Sequence, residues 1–181
     1  KPGGVYLITG GVGGIGYQLA HHLVNANLEN AEKTKLIILN RTELPSSENW
    51  QEFLDNSGTS KAAKRIRAIQ ELEVQGAEVL AINADVTQVA ELQVAIKKSV
   101  ERFGRIDGVF HTAGIVKDNL IALQSVDDTR KVLAPKVKGL LALEQALANT
   151  KLDFMFLFFL LTGLILLQKD QLIITLHHFF L

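Results

Sequence analysis

The stretch Thr9-Gly10-Gly11-Val12-Gly13-Gly14-Ile15-Gly16 constrains the fold more than any other part of the chain. An apolar run, Val5 to Ile8, leads into it, and an amphipathic stretch from Tyr17 to Val24 leads out. The pattern reads as strand, glycine-rich turn, helix. A pyrophosphate is bulky and doubly charged. The N-terminus of a helix suits it, because free N–H groups and the helix dipole point outward there. A side chain in the turn would hold the phosphates away, so the turn calls for glycine. The spacing satisfies G-x-G-x-x-G through Gly11, Gly13 and Gly16, and T-G-x-x-x-G-x-G through Thr9, Gly10, Gly14 and Gly16. With a strand before it and a helix after it, the turn reads as a dinucleotide site made of Thr9, Gly10, Gly11, Val12, Gly13, Gly14, Ile15 and Gly16.

The alternation continues downstream. Lys35–Asn40 is an apolar run of strand length, of the kind buried on both faces in a parallel sheet. From Glu43 to Thr59 the chain turns polar and reads as a long connection pinned by Trp50 and Phe53. Lys61–Gln75 is a helix with Ala62, Ile66, Ile69 and Leu72 at helical spacing, ended by Gly76. Ala77–Asn83 is a strand. Val89–Phe103 is a helix that Thr87 or Asp85 can cap, with Leu92, Ala95, Ile96 and Val100 on one face. Asp107–His111 is a strand, Val126 to about Asn149 a helix that Pro135 should kink or interrupt, and Asp153–Phe159 a strand. Strands alternating with helices predict an α/β, Rossmann-like, doubly wound parallel sheet of order 3-2-1-4-5, with an atypical C-terminal part.

The length, 181 residues, suits one domain over 1–181 with a real core. Nineteen basic and nineteen acidic residues cancel, which argues against a nucleic-acid arm or a membrane-surface patch. Cysteine is absent, so disulfides, thiolate catalysis and cysteine metal sites are excluded, and no metal site is expected. A Lys1 start without a charged-then-apolar leader reads as a piece of a longer polypeptide with no signal peptide in view, and a cytoplasmic location is expected.

The residues closing the second strand choose between NAD and NADP. A carboxylate there holds the ribose 2′-OH of NAD, whereas a 2′-phosphate calls for a cation. Here Asn40, Arg41 and Thr42 stand there, with no acid before Glu43. The planar donor fork of Arg41 suits a phosphate, so NADPH is the expected cofactor. Asp85 and Val86, at the end of the third strand, sit where an adenine edge would lie, although Asp85 reads equally as a helix cap. Ala113 and Gly114 end the fourth strand beside the crevice, small enough for the second ribose to approach.

Together these residues resemble the short-chain dehydrogenase/reductase superfamily. More narrowly, they are similar to the ketoreductase domain of modular polyketide synthases, with the fatty-acid-synthase ketoreductase close behind. The matching pieces are Tyr6-Leu-Ile-Thr-Gly-Gly-Val-Gly-Gly-Ile-Gly16, Leu39-Asn-Arg41, Asp85-Val86-Thr87, His111-Thr-Ala-Gly114 and Val132-Leu-Ala-Pro-Lys-Val-Lys-Gly139, over about residues 4 to 159. The last is the most specific to ketoreductases. The resemblance implies NADPH-dependent reduction of a β-ketoacyl thioester on an acyl carrier protein to the β-hydroxyacyl form. It also implies neighbouring synthase domains, with no nucleic acid or membrane as partner. A tyrosine would donate the proton, a serine would hold the carbonyl oxygen, and a lysine would hold the ribose and lower the tyrosine's pKa. The A-P-K-V motif maps that lysine onto Lys136. Asp118 matches the aspartate that marks a D-hydroxy product.

The pattern breaks in the tail. Alignment on Thr162-Gly163 puts Leu160 at the serine position, and the tyrosine position falls at about Ile173. The chain's tyrosines are Tyr6 and Tyr17, and its last serine is Ser125. The apolar tail 160–181 reads in three ways: a degenerate ketoreductase, a disrupted reading frame or mis-determined sequence, or an unrelated segment packing on a partner. The second is favoured. The alternatives to an active ketoreductase are therefore an inactive structural domain of the same kind and a stand-alone short-chain dehydrogenase.

Overall fold

A computed structural model describes residues 1–28, 32–115 and 125–158. In chain order the elements are β1 (Val5–Thr9), α1 (Ile15–Asn25), β2 (Lys35–Asn40), α2 (Trp50–Ser57), α3 (Lys61–Val74), β3 (Glu78–Asn83), α4 (Val89–Phe103), β4 (Gly108–His111), α5 (Val126–Leu147) and β5 (Phe154–Leu157). The strands form one parallel sheet in the order β3-β2-β1-β4-β5, as the alternation of elements predicts. The chain reverses direction across the sheet between β1 and β4. In such sheets the crevice for ligands opens at that point, beyond the carboxyl ends of the strands.

Side-chain alternation explains why both faces are dry. Val5 and Leu7 of β1, with Ile37 and Leu39 of β2, face a core completed by Leu92, Ala95, Ile96 and Leu143 of α4 and α5. Tyr6 and Ile8, with Leu36 and Ile38, face a second core under Ala20, Val24, Ile69 and Leu72 of α1 and α3. A period of two, apolar at every position, is what a strand buried on both faces needs. Toward β5 the second face becomes aromatic: the rings of Phe110 and Phe154 meet edge-on at 5.2 Å, and Phe156 and Phe158 lie 4.9 Å apart.

Local expectations change where side chains found other work. The polar connection after β2 contains a 3-10 turn, Ser47–Asn49, and then α2; the indole of Trp50 donates to the Pro45 carbonyl. Ala63, not Ala62, faces the core from α3, which Ser60 caps by accepting from the Ala63 N–H. Neither Thr87 nor Asp85 caps α4. Gln88 holds that position without a side-chain bond, and Asp85 instead accepts from the Thr87 N–H and hydroxyl. Ser99 takes the buried place expected of Val100, which is exposed; its hydroxyl is satisfied by the Ala95 carbonyl one turn back. Helix α5 continues through Pro135 without interruption. Proline there deletes one backbone donor, but the missing bond is offset by burial of the ring, which lies in the face turned to the sheet.

Candidate functional site

The glycine turn has the conformation its composition anticipates. Gly10, Gly11 and Gly14 have φ of +91°, +75° and +50°, the left-handed region that side chains avoid. The close approaches differ along the turn. A Cβ on Gly10 would lie 2.8 Å from the Ala113 nitrogen, and one on Gly11 would collide with the Asn40 side chain. At Gly13 and Gly14 nothing stands within 4 Å. Gly10 and Gly11 are therefore demanded by both backbone and packing and Gly14 by its backbone alone, while Gly13 and Gly14 leave open space above the start of α1. Gly14 precedes that helix with no capping side chain, and no acidic residue stands in the first turn; the Gly16 N–H is taken by the Gly13 carbonyl, and the positive end of the helix dipole faces the opening.

Around this opening the carboxyl ends of three strands supply the predicted residues. Asn40 closes β2, is buried, and neither its amide nitrogen nor its oxygen has a partner. Such an orphan in a buried place is costly and calls for a polar ligand or water. Arg41 follows at the exposed rim. Val86 is buried, and a Cβ on Gly139 would stand 3.1 Å from its Cγ1. Asp85 is half-buried with one carboxylate oxygen already taken by Thr87, so the expected adenine contact would fall to what remains of it. Thr9 is wholly buried. Its hydroxyl meets Nδ1 of His111 at 2.7 Å and the Ala113 N–H at 3.3 Å, and its carbonyl accepts from the Thr112 hydroxyl at 2.6 Å. It fastens β1 to the end of β4 rather than facing the crevice. Val12 is buried, Ile15 half-buried, and Gly16 closes against the Gly11 carbonyl.

On the other side of the crevice, Ala113 is buried and Gly114 exposed. A Cβ on Gly114 would lie 3.9 Å from Cε of Lys136, so the fold brings the half-buried Lys136 beside the end of β4. Asp118, Leu160 and Ile173 lie outside the described residues, as do the tail histidines His177 and His178. Among the described residues no cluster of His, Cys, Asp or Glu could hold a metal, and no helix is long and apolar enough to cross a membrane.

Sequence reasoning gave His111 no role beyond its motif. It is 1% exposed, bonded on one ring nitrogen to Thr9 and on the other to the Pro135 carbonyl at 3.0 Å. Burial holds its pKa below the ordinary imidazole value, against the opposing pull of the Pro135 carbonyl. The signal available in the sequence was a histidine closing an otherwise apolar strand.

With this geometry established, comparison with known proteins decides the family. Residues 4–166 match the family model of the KR domain, running past Phe159 into the tail. The chain belongs to the KR domain family. Polyketide synthase PksN of Bacillus subtilis (strain 168) is 34% identical to this KR domain over 163 residues, covering 90% of the chain. The 6-methylsalicylic acid synthase of Aspergillus terreus (strain NIH 2624 / FGSC A1156) is 33% identical over 159 residues, covering 87%. The chain spans only 3% and 8% of those two proteins' lengths. Among solved structures, a ketoreductase domain from the bacillaene assembly line superposes with a TM-score of 0.71 at 28% identity, covering 88% of this chain and 33% of that one. An N-terminal ketoreductase from the macrolactin assembly line gives 0.66 at 34% identity, covering 86% and 27%. The KR domain is thus of the kind found in polyketide synthases, and it shares the fold of the solved ketoreductase domains.

Proposed function

We propose that this KR domain binds NADP(H) along the carboxyl edge of β1, β2 and β4, as the ketoreductase module of a polyketide synthase acting on a carrier-tethered β-ketoacyl thioester. The observation that carries this is the convergence of three features on one sheet edge. They are the open glycine turn at Gly13 and Gly14, the unpartnered buried amide of Asn40 with Arg41 at its rim, and Lys136 beside Gly114. These fit the parts of a dinucleotide: pyrophosphate at the helix N-terminus, adenosine 2′-phosphate at Arg41, and the nicotinamide ribose at Lys136. Bound there, NADPH would supply the hydride for the ketone carbon. The chain's own residues bind and orient: the turn amides take the phosphates, Arg41 selects the phosphorylated adenosine, and Lys136 holds the second ribose. Neighbouring synthase domains, a cytoplasmic location and the D-hydroxy product marked by Asp118 belong to the same reading and rest on the resemblance. Isothermal titration with NADPH and NADH tests the binding half. Tighter binding of NADPH is expected, and equal affinities would refute the cofactor assignment.

A second reading, cofactor binding without turnover, is favoured by where the tyrosines stand. Tyr6 is buried in the second core, away from the crevice residues, and burial raises its pKa. Tyr17 is bonded to the Glu71 carboxylate, which with burial pushes its pKa up to about 12. Both are held by neighbours and resist giving up a proton. NADPH oxidation with a β-ketoacyl thioester mimic separates the readings: no turnover despite measurable NADPH binding selects the second, and Lys136→Ala then has no activity left to lose.

A further inference from the structure

His111 is a buried titratable group that the proposed binding scheme leaves without a task. Its bonding partners fix its chemistry. The Pro135 carbonyl can only accept, so Nε2 carries the hydrogen. In the neutral ring Nδ1 is then a lone pair, and the Thr9 hydroxyl donates to it. The Thr9 oxygen in turn accepts the Ala113 N–H. A directed chain of donors thus runs from Ala113 through Thr9 and His111 to Pro135. It begins one residue before Gly114 and ends one residue before Lys136, the two residues that lie side by side at the end of β4.

The helix is built to receive this bond. Pro135 has no N–H to give to the carbonyl a turn behind it, so α5 is least secured by its own bonds there. One turn on, Gly139 makes room: a Cβ there would stand 3.5 Å from Cε1 of His111 and 3.1 Å from Cγ1 of Val86. The imidazole therefore lies against the helix backbone, and its bond to the Pro135 carbonyl ties that turn of the helix to the sheet; the carbonyl that the proline leaves without a helical donor is that of Lys131.

We propose that His111 is a positioning residue for Lys136. As the neutral imidazole bearing its hydrogen on Nε2, it ties the Pro135 carbonyl, and the turn of α5 that carries Lys136, to the joined ends of β1 and β4. The proposal rests on the reading of Lys136 as the residue that holds the nicotinamide ribose.

The first test needs no ligand. Imidazole nitrogen shifts of the unchanged protein at neutral pH should show Nε2 protonated and Nδ1 bare; a hydrogen on Nδ1, or an imidazolium, overturns the proposal. The second compares NADPH with adenosine 2′,5′-bisphosphate, which reaches only the adenosine end. His111→Phe should weaken NADPH about tenfold, the scale of one ordinary hydrogen bond, with less than about twofold change for the fragment. His111→Gln, whose amide can still donate to the carbonyl, should recover part of the loss. In a Lys136→Ala background, His111→Phe should cost nothing further. Equal weakening of both ligands in a folded variant, or an undiminished loss in the Lys136→Ala background, overturns the positioning role. Should His111→Phe fail to fold, His111→Gln and the nitrogen shifts decide. If the unchanged protein shows the Nε2 hydrogen but binds neither ligand, the cofactor reading is at fault and the positioning role falls with it. If it binds both and the variants misbehave, only the positioning role fails.

Discussion

Gly11 and Gly13 stand two residues apart in one turn, yet alanine at each should have separable effects. At Gly11 φ is +75°, where an L side chain costs about 1–2 kcal/mol. Its Cβ would also collide with the buried Asn40 amide, and relieving such an overlap costs about 1–3 kcal/mol more. Gly11→Ala should therefore destabilise the fold by about 2–5 kcal/mol. For a domain of this size each kcal/mol lowers Tm by about 2–4 °C, so a fall of at least about 4 °C is expected. Gly13 has no positive φ and nothing within 4 Å of its Cβ position. Gly13→Ala should stay within about 0.5 kcal/mol of the unchanged protein. The added methyl instead fills the space proposed for the phosphates, and should raise the Kd for NADPH at least about tenfold, or about 1.4 kcal/mol. Differential scanning calorimetry and titration on the same preparations measure both. A Gly11→Ala protein melting with its parent, or a Gly13→Ala protein losing as much Tm as Gly11→Ala, would refute the division of the turn into fold-demanded and ligand-demanded glycines.

Arg41→Ala should weaken NADPH about 10- to 100-fold, the worth of charge-assisted bonds to a phosphate, and NADH by less than about threefold; competitive titration reads the ratio, and equal losses would contradict the 2′-phosphate assignment. Burial depresses the pKa of His111, so the unfolded chain binds the extra proton first and stability should fall as pH drops below about 6.5. His111→Gln should flatten part of that limb in pH-dependent denaturation curves, and an unchanged slope would show that His111 does not titrate on unfolding. Ser125 caps α5 by accepting from the Asp128 N–H at 3.1 Å, so Ser125→Ala should cost about 1 kcal/mol in urea unfolding. Ile37 is fully buried in the central part of the sheet, and Ile37→Ala should cost about 2–5 kcal/mol in the same assay.

The sheet was legible in the sequence because its strands are buried on both faces. Leu36–Leu39 is a continuous apolar run of strand length, of the kind a parallel strand between two helical layers buries, and the strand expected over Lys35–Asn40 has the bounds observed. The long helices declared themselves by spacing, with errors where a residue's polarity misled. Ser99 is buried because its hydroxyl bonds within the helix, which periodicity of apolar residues cannot register. Pro135 lies within a helix it was expected to kink or interrupt, and the helix is not interrupted, because the site at which a proline ring can be buried is set by tertiary packing. At the site, the glycine turn was readable as backbone chemistry. The work of Thr9 and His111 was not, because each acts on a residue more than twenty positions away, and only the fold brings those partners together.

The double grip of Thr9 on the end of β4 also bears on the cost of binding. Its carbonyl holds Thr112 and its hydroxyl holds Ala113, while Gly10 presses its backbone against the same two residues. Two walls of the crevice are thereby made into a single rigid piece by interior hydrogen bonds. Their relative freedom is surrendered when the chain folds, not when a ligand arrives. A ligand entering such a preorganised cleft loses little affinity to ordering it, and binding here should bring only a small gain in backbone protection from hydrogen exchange at Thr9–Gly10 and Thr112–Ala113.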